Sequence, residues 1–72
     1  MKRTKVASEI TGKVWKIEAE VGAKLSEDDP IIILESMKME IPMTAPRAGR
    51  VLRLLVGEGE VVAEGQGVAV LG

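Results

Sequence analysis

The chain has 72 residues, 46% of them hydrophobic, and a formal charge of -1 from ten basic and eleven acidic side chains. It holds no cysteine and no histidine. A zinc site built on those ligands, a Cys or His nucleophile and a Ser-His-Asp triad are thereby excluded, and no disulfide can support a core that is marginal at this size. Balanced charge and a single aromatic residue, Trp15, argue against nucleic acid, which asks for clustered cations and stacking rings. No apolar run is long enough for a membrane-spanning helix, and the basic start Met1-Lys2-Arg3-Thr4-Lys5 is not followed by the apolar segment of a signal peptide. The expectation is one domain over residues 1–72, cytoplasmic; Met1 favours a stand-alone protein, with a domain cut from a longer chain as the alternative. So short a chain has little room for a deep cleft, and its acidic residues are scattered over predicted turns and outward positions. A free-standing enzyme is not expected.

In chain order, the first patterned segment begins at Gly12. Trp15, Ile17 and Ala19 alternate with Lys16 and Glu18, the period of two of a half-buried strand; Val14 breaks that phase and marks a bulge. Gly22 punctuates a turn, Leu25 anchors a very short strand, and Ser26-Glu27-Asp28-Asp29-Pro30 is turn chemistry. Ile31-Ile32-Ile33-Leu34 is a β-branched apolar run of strand length, suited to burial on both faces or nearly so. Leu34 to Glu40 holds good helix formers between Pro30 and Pro42, but an isolated helix this short is unstable in water. The pattern is read as two strands joined by a tight turn at Met37-Lys38-Met39.

The second half then repeats the first at an offset of 37 residues, the separation of Gly12 and Gly49. Gly12 to Ile17 falls on Gly49 to Leu54, Gly22 on Gly59, Leu25 on Val62, and Ile31 to Leu34 on Val68 to Leu71. Gly57-Glu58-Gly59-Glu60 and Glu64-Gly65-Gln66-Gly67 fill the same two turns. Two copies of one unit suggest a pseudo-two-fold axis, and many short, evenly spaced strands indicate an all-β flattened barrel or sandwich. The offset maps Lys38 onto Met1 and Glu35 onto Gly72. The axis therefore exchanges the central turn with the chain ends, which puts Lys38 at one pole and the termini at the other.

Lysine in an exposed turn is ordinary. Met37 and Met39 are not: they have a desolvation cost at a hairpin tip and supply no turn chemistry, but they offer an adaptable contact surface. Met-Lys-Met at a tip reads as a docking signal around an acceptor amine.

Glu35-Ser36-Met37-Lys38-Met39-Glu40 resembles the attachment sequence of biotinyl domains, the biotin carboxyl carrier domains of biotin-dependent carboxylases, within the biotinyl/lipoyl attachment family. The resemblance covers nearly the whole chain. Ala45-Pro46-Arg47-Ala48-Gly49-Arg50-Val51 looks like the family's Ala-Pro-x-x-Gly-x-Val, and Gly57-Glu58-Gly59 and Glu64-Gly65-Gln66 resemble its later turns. The resemblance implies two four-stranded antiparallel sheets forming a flattened barrel with quasi-two-fold symmetry, Lys38 on a hairpin turn. It implies biotin joined as an amide to Lys38 by a biotin protein ligase, and CO2 carried by that arm from a biotin carboxylase to a carboxyltransferase. The carrier itself performs no catalysis in this scheme and is expected to be monomeric as an isolated domain. Met37 and Met39 would frame the lysine for the ligase, and Glu35 and Glu40 would help in recognition or serve only as solubilising charges.

Some positions depart from the family pattern. Ser36 stands where many biotinyl domains have alanine, Glu9 falls on Pro46, and Asp28 falls on the turn residue Gly65. Asp tolerates a left-handed conformation better than most residues. No protrusion is inserted between Ala19 and Leu25, as in biotinyl domains that lack a thumb. Two other readings share the fold: a lipoyl-type acyl carrier, whose lysine typically follows Asp and precedes Ala, and an unmodified structural barrel-sandwich module.

Overall fold

Alternation of apolar and polar residues, cut by turn residues every few positions, produces eight strands in the computed structural model, which describes residues 3–72. They are β1 Thr4–Ala7, β2 Gly12–Ile17, β3 Lys24–Leu25, β4 Pro30–Ser36, β5 Met39–Thr44, β6 Gly49–Leu54, β7 Val61–Val62 and β8 Gly67–Leu71. No helix occurs among the described residues. Two four-stranded sheets form, in the orders β1-β8-β6-β3 and β5-β4-β2-β7, and every pairing is antiparallel.

The internal repeat governs this arrangement. Shifting β1, β8, β6 and β3 by one repeat yields β5, β4, β2 and β7, which is the other sheet in order. Each sheet thus takes two strands from each copy. Buried residues obey the same rule: Ile31, Ile32 and Leu34 of β4 and Val68, Ala69 and Leu71 of β8 are all 0% exposed, while Ile33 and Val70 are half-buried. Val14 and Val51 occupy matching places in the core between the sheets.

The matching inner strands β2 and β6 each carry a bulge. In β2 the register against β4 shifts between Val14 and Lys16, and in β6 the register against β8 shifts between Val51 and Arg53. The bulge expected at Val14 is present, but its consequence is opposite to the simple alternation. Val14 is buried at 1% exposure, and Trp15 turns outward at 49%. The extra residue in the bulge resets which face each side chain meets.

The turns match as well. Asp28 has φ 72° where its counterpart Gly65 has φ 85°. The carboxylate of Asp29 accepts from the N–H of Ser26, as the amide oxygen of Gln66 does from Ala63.

β2 begins beside the end of β4, with Lys13 opposite Glu35. The chain leaving its far end reaches Gly22, whose N–H donates to the carbonyl of Val51 at 2.7 Å, in the strand that begins beside Gly72. Thr4 pairs with Leu71, so the two described ends lie side by side. The β4–β5 hairpin and those ends therefore stand at opposite poles of a body measuring 36 × 17 × 17 Å. Met1, which the offset pairs with Lys38, lies outside the described residues.

Candidate functional site

Strand β4 is anchored by Ile31, Ile32 and Leu34 in the core, and its last residues run out past it. β5 is an edge strand, which is why Pro42 is accepted opposite Ile33 without a lost ladder bond in the sheet interior. Ser36 pairs with Met39, so two residues, Met37 and Lys38, turn the chain. The turn is shorter than the expected three-residue Met37-Lys38-Met39, because Met39 already belongs to β5.

Met37 has φ 51° and Lys38 φ 64°. Two successive positive φ values are those of a type I′ hairpin, whose twist matches the strands it joins and which strongly prefers Asn-Gly. A left-handed conformation costs a residue with a Cβ on the order of 1 kcal/mol. Here two long side chains bear that cost with no glycine to relieve it. The strain is offset by the ladder below it, where Glu35 pairs with Glu40 and Leu34 with Ile41.

The tip is apolar and open. Met37 is 94% exposed and Met39 62%, and Lys38 between them is exposed. Lys38, Met37, Met39, Glu35 and Glu40 are thus gathered on one hairpin, with both glutamates exposed. Those two carboxylates face each other directly across the strands, an arrangement unfavourable in itself. Lys13 stands on the other side of Glu35, in β2, and supplies a compensating cation in the same row.

Two residues beside this hairpin were not singled out as site residues in the sequence. Trp15 and Lys13, with Val14, Glu35 and Gly59, line an open groove of about 240 Å³. A signal for it existed: Trp15 is the chain's one aromatic residue and falls on Leu52 in the second copy. Among the described residues no group of three or more acidic side chains could hold a metal ion.

With this geometry in view, comparison with known proteins is specific. A family profile described as "Biotin-requiring enzyme" matches residues 1–71. A biotin/lipoyl attachment protein of Bacillus subtilis is 40% identical over 60 residues, covering 83% of this chain and 82% of that protein. A biotinylated protein TB7.3 homolog of Mycobacterium leprae is 38% identical over 66 residues, covering 92% and 93%. Urea amidolyase of Saccharomyces cerevisiae is 36% identical over 66 residues, but the chain spans only 4% of that protein. The crystal structure of Kluyveromyces lactis urea carboxylase superposes on all of this chain with a TM-score of 0.95 at 36% identity, again over a small part, 6%, of the larger chain. The sheet order, the hairpin and these matches agree: the chain belongs to the biotin/lipoyl attachment domain family.

Proposed function

We propose that this domain is a biotin carboxyl carrier, with Lys38 as the residue that takes biotin in amide linkage from a biotin protein ligase. The observation that carries the reading is the hairpin tip. A lysine is held in a strained two-residue turn between a 94% exposed and a 62% exposed methionine, on a strand pair anchored in the core by Ile31, Ile32, Leu34 and Met43. Backbone strain retained at an exposed site points to use of that site. In the coupling step the neutral Lys38 amine attacks the activated carboxyl carbon of biotin. A C–N bond forms, the activating group leaves with its bonding electrons, and the amine loses a proton.

Once bound, biotin supplies a ring nitrogen that accepts a carboxyl group at one active site and yields it at another. The chain contributes position. The rigid β4–β5 ladder holds the point of attachment far from the described chain ends, so a biotin carboxylase and a carboxyltransferase can each be reached in turn. The gain is one of effective concentration rather than of catalysis by the carrier. Met37 and Met39 form the apolar surface that the ligase grips, flanked by the charges of Glu35 and Glu40. A lipoyl carrier would use the same fold, but its lysine lies between Asp and Ala, and here both neighbours are methionine.

The test is incubation with ligase, biotin and ATP, read by intact mass. The wild-type chain is expected to gain one biotinyl group, and Lys38→Ala and Lys38→Arg none, with all three folded alike by circular dichroism. Arginine keeps the charge but cannot offer a neutral amine. Labelling of either variant would move the acceptor to another lysine, and a lipoyl increment on the protein from its native cell would favour the acyl carrier.

A further inference from the structure

We infer that the groove beside the hairpin is a resting seat for the ring carried on Lys38, an inference that rests on the carrier reading above. The groove lies at the same pole as Lys38. Glu35, which lines it, is three residues before Lys38 on β4, within about 10 Å along the strand. The lysyl side chain and the biotin pentanoyl chain in series are longer than that. At about 240 Å³ the groove is smaller than the sites that enclose drug-sized ligands and suits a small bicyclic head group.

Its chemistry fits that head group. The ureido ring of biotin presents N–H donors and one carbonyl acceptor, and its sulfur ring is apolar. Glu35 can accept from the N–H groups, and Lys13, directly opposite Glu35 in register, can donate to the carbonyl. Trp15, half-exposed on the bulge, offers an indole face to the apolar ring.

The pseudo-symmetry supplies an internal control. The matching residues at the other pole are Arg50, Val51, Leu52, Gly72 and Gly22. There the carboxylate is replaced by a glycine. Leu52 lies folded against that glycine, so close that a Cβ on Gly72 would meet its side chain at 2.6 Å. One repeat thus fills the place with leucine, and the repeat that faces the acceptor leaves it open between a tryptophan, a lysine and a carboxylate. A seated ring is sheltered from solvent between deliveries, and each active site must draw it out.

Trp15 is the only Trp, Tyr or Phe in the chain, so its fluorescence reports on the groove alone. The experiment compares unmodified protein with protein shown by mass to carry one biotinyl group. Biotinylation is expected to shift the emission to shorter wavelength and reduce quenching by acrylamide, and Lys13→Ala or Glu35→Ala in the labelled protein to restore both. Complete labelling with unchanged emission and quenching would overturn the seat while leaving the carrier reading intact, as would a shift that both variants retain. Absence of labelling would instead count against Lys38 as acceptor. The groove is then read from Lys38→Cys, the sole thiol of such a chain, alkylated with a biotin maleimide: protection of Trp15 supports the seat, and none overturns it.

Discussion

At the level of single residues, Met37 and Lys38 set function against stability. Both hold positive φ with side chains that do not favour it. Replacing them by the pair that a type I′ turn prefers, Met37→Asn with Lys38→Gly, removes that strain, less the entropy that glycine returns to the unfolded chain. The expected net gain is about 1 kcal/mol, or a rise in Tm of about 4–8 °C for a domain of this size. Thermal unfolding checks it, and a lower Tm would contradict the strain argument. The acceptor role proposed for Lys38 could be framed before any coordinates, because two methionines at a tip have no local reason to be there. The strain was not: composition suggests a turn but does not count its residues, and only the pairing of Ser36 with Met39 reduces the loop to two.

Among the elements, the two glycines that open β2 and β6 do the same job. A Cβ on Gly12 would meet the carbonyl oxygen of Glu35 at 2.9 Å, and one on Gly49 the carbonyl oxygen of Gly72 at 2.8 Å. These contacts are themselves related by the repeat. Gly49 begins a strand rather than a turn, and glycine is needed there because a neighbouring backbone passes close by. Gly12→Val and Gly49→Val are each expected to cost about 1–3 kcal/mol by overpacking. Gly57→Ala is the control, since its Cβ would meet only the end of the Glu60 side chain at 3.4 Å, and its Tm should stay close to wild type. Chemical denaturation of the three variants checks this, and equal midpoints would dismiss the close-approach argument. The strands from Gly12 onward and their pairing by symmetry were readable from period and repeat, but β1 and the order of strands within each sheet were not. The outward turn of Trp15 was not, because a bulge inverts the alternation from which burial is read, and nothing local tells which of two adjacent apolar residues goes inside.

Across the whole molecule, the pseudo-two-fold axis makes two turns equivalent in structure and opposite in position. Gly22 and Gly59 have φ 94° and 90°, and a Cβ on either would meet nothing within 4 Å. The N–H of Gly22 donates to Val51 near the described chain ends, and that of Gly59 to Val14, beside the groove and the Lys38 hairpin. A small folded domain inserted between Val21 and Gly22, or between Glu58 and Gly59, should therefore lower Tm by similar amounts. Its effect on function should differ. At the Gly22 turn it projects from the pole of the described chain ends, opposite Lys38, and labelling by the ligase should proceed at the unmodified rate. At the Gly59 turn it stands beside Lys38 and should slow labelling by obstructing approach to Met37 and Met39. Rates from mass spectra taken over time, with both Tm values alongside, decide the matter. Equal slowing by both insertions would mean that the ligase contacts the domain well beyond the hairpin pole. Equal rates at wild-type speed would confine its contact to the tip itself. Only the asymmetric result fits a doubled scaffold whose two ends, alike in backbone, have been given different work by their side chains.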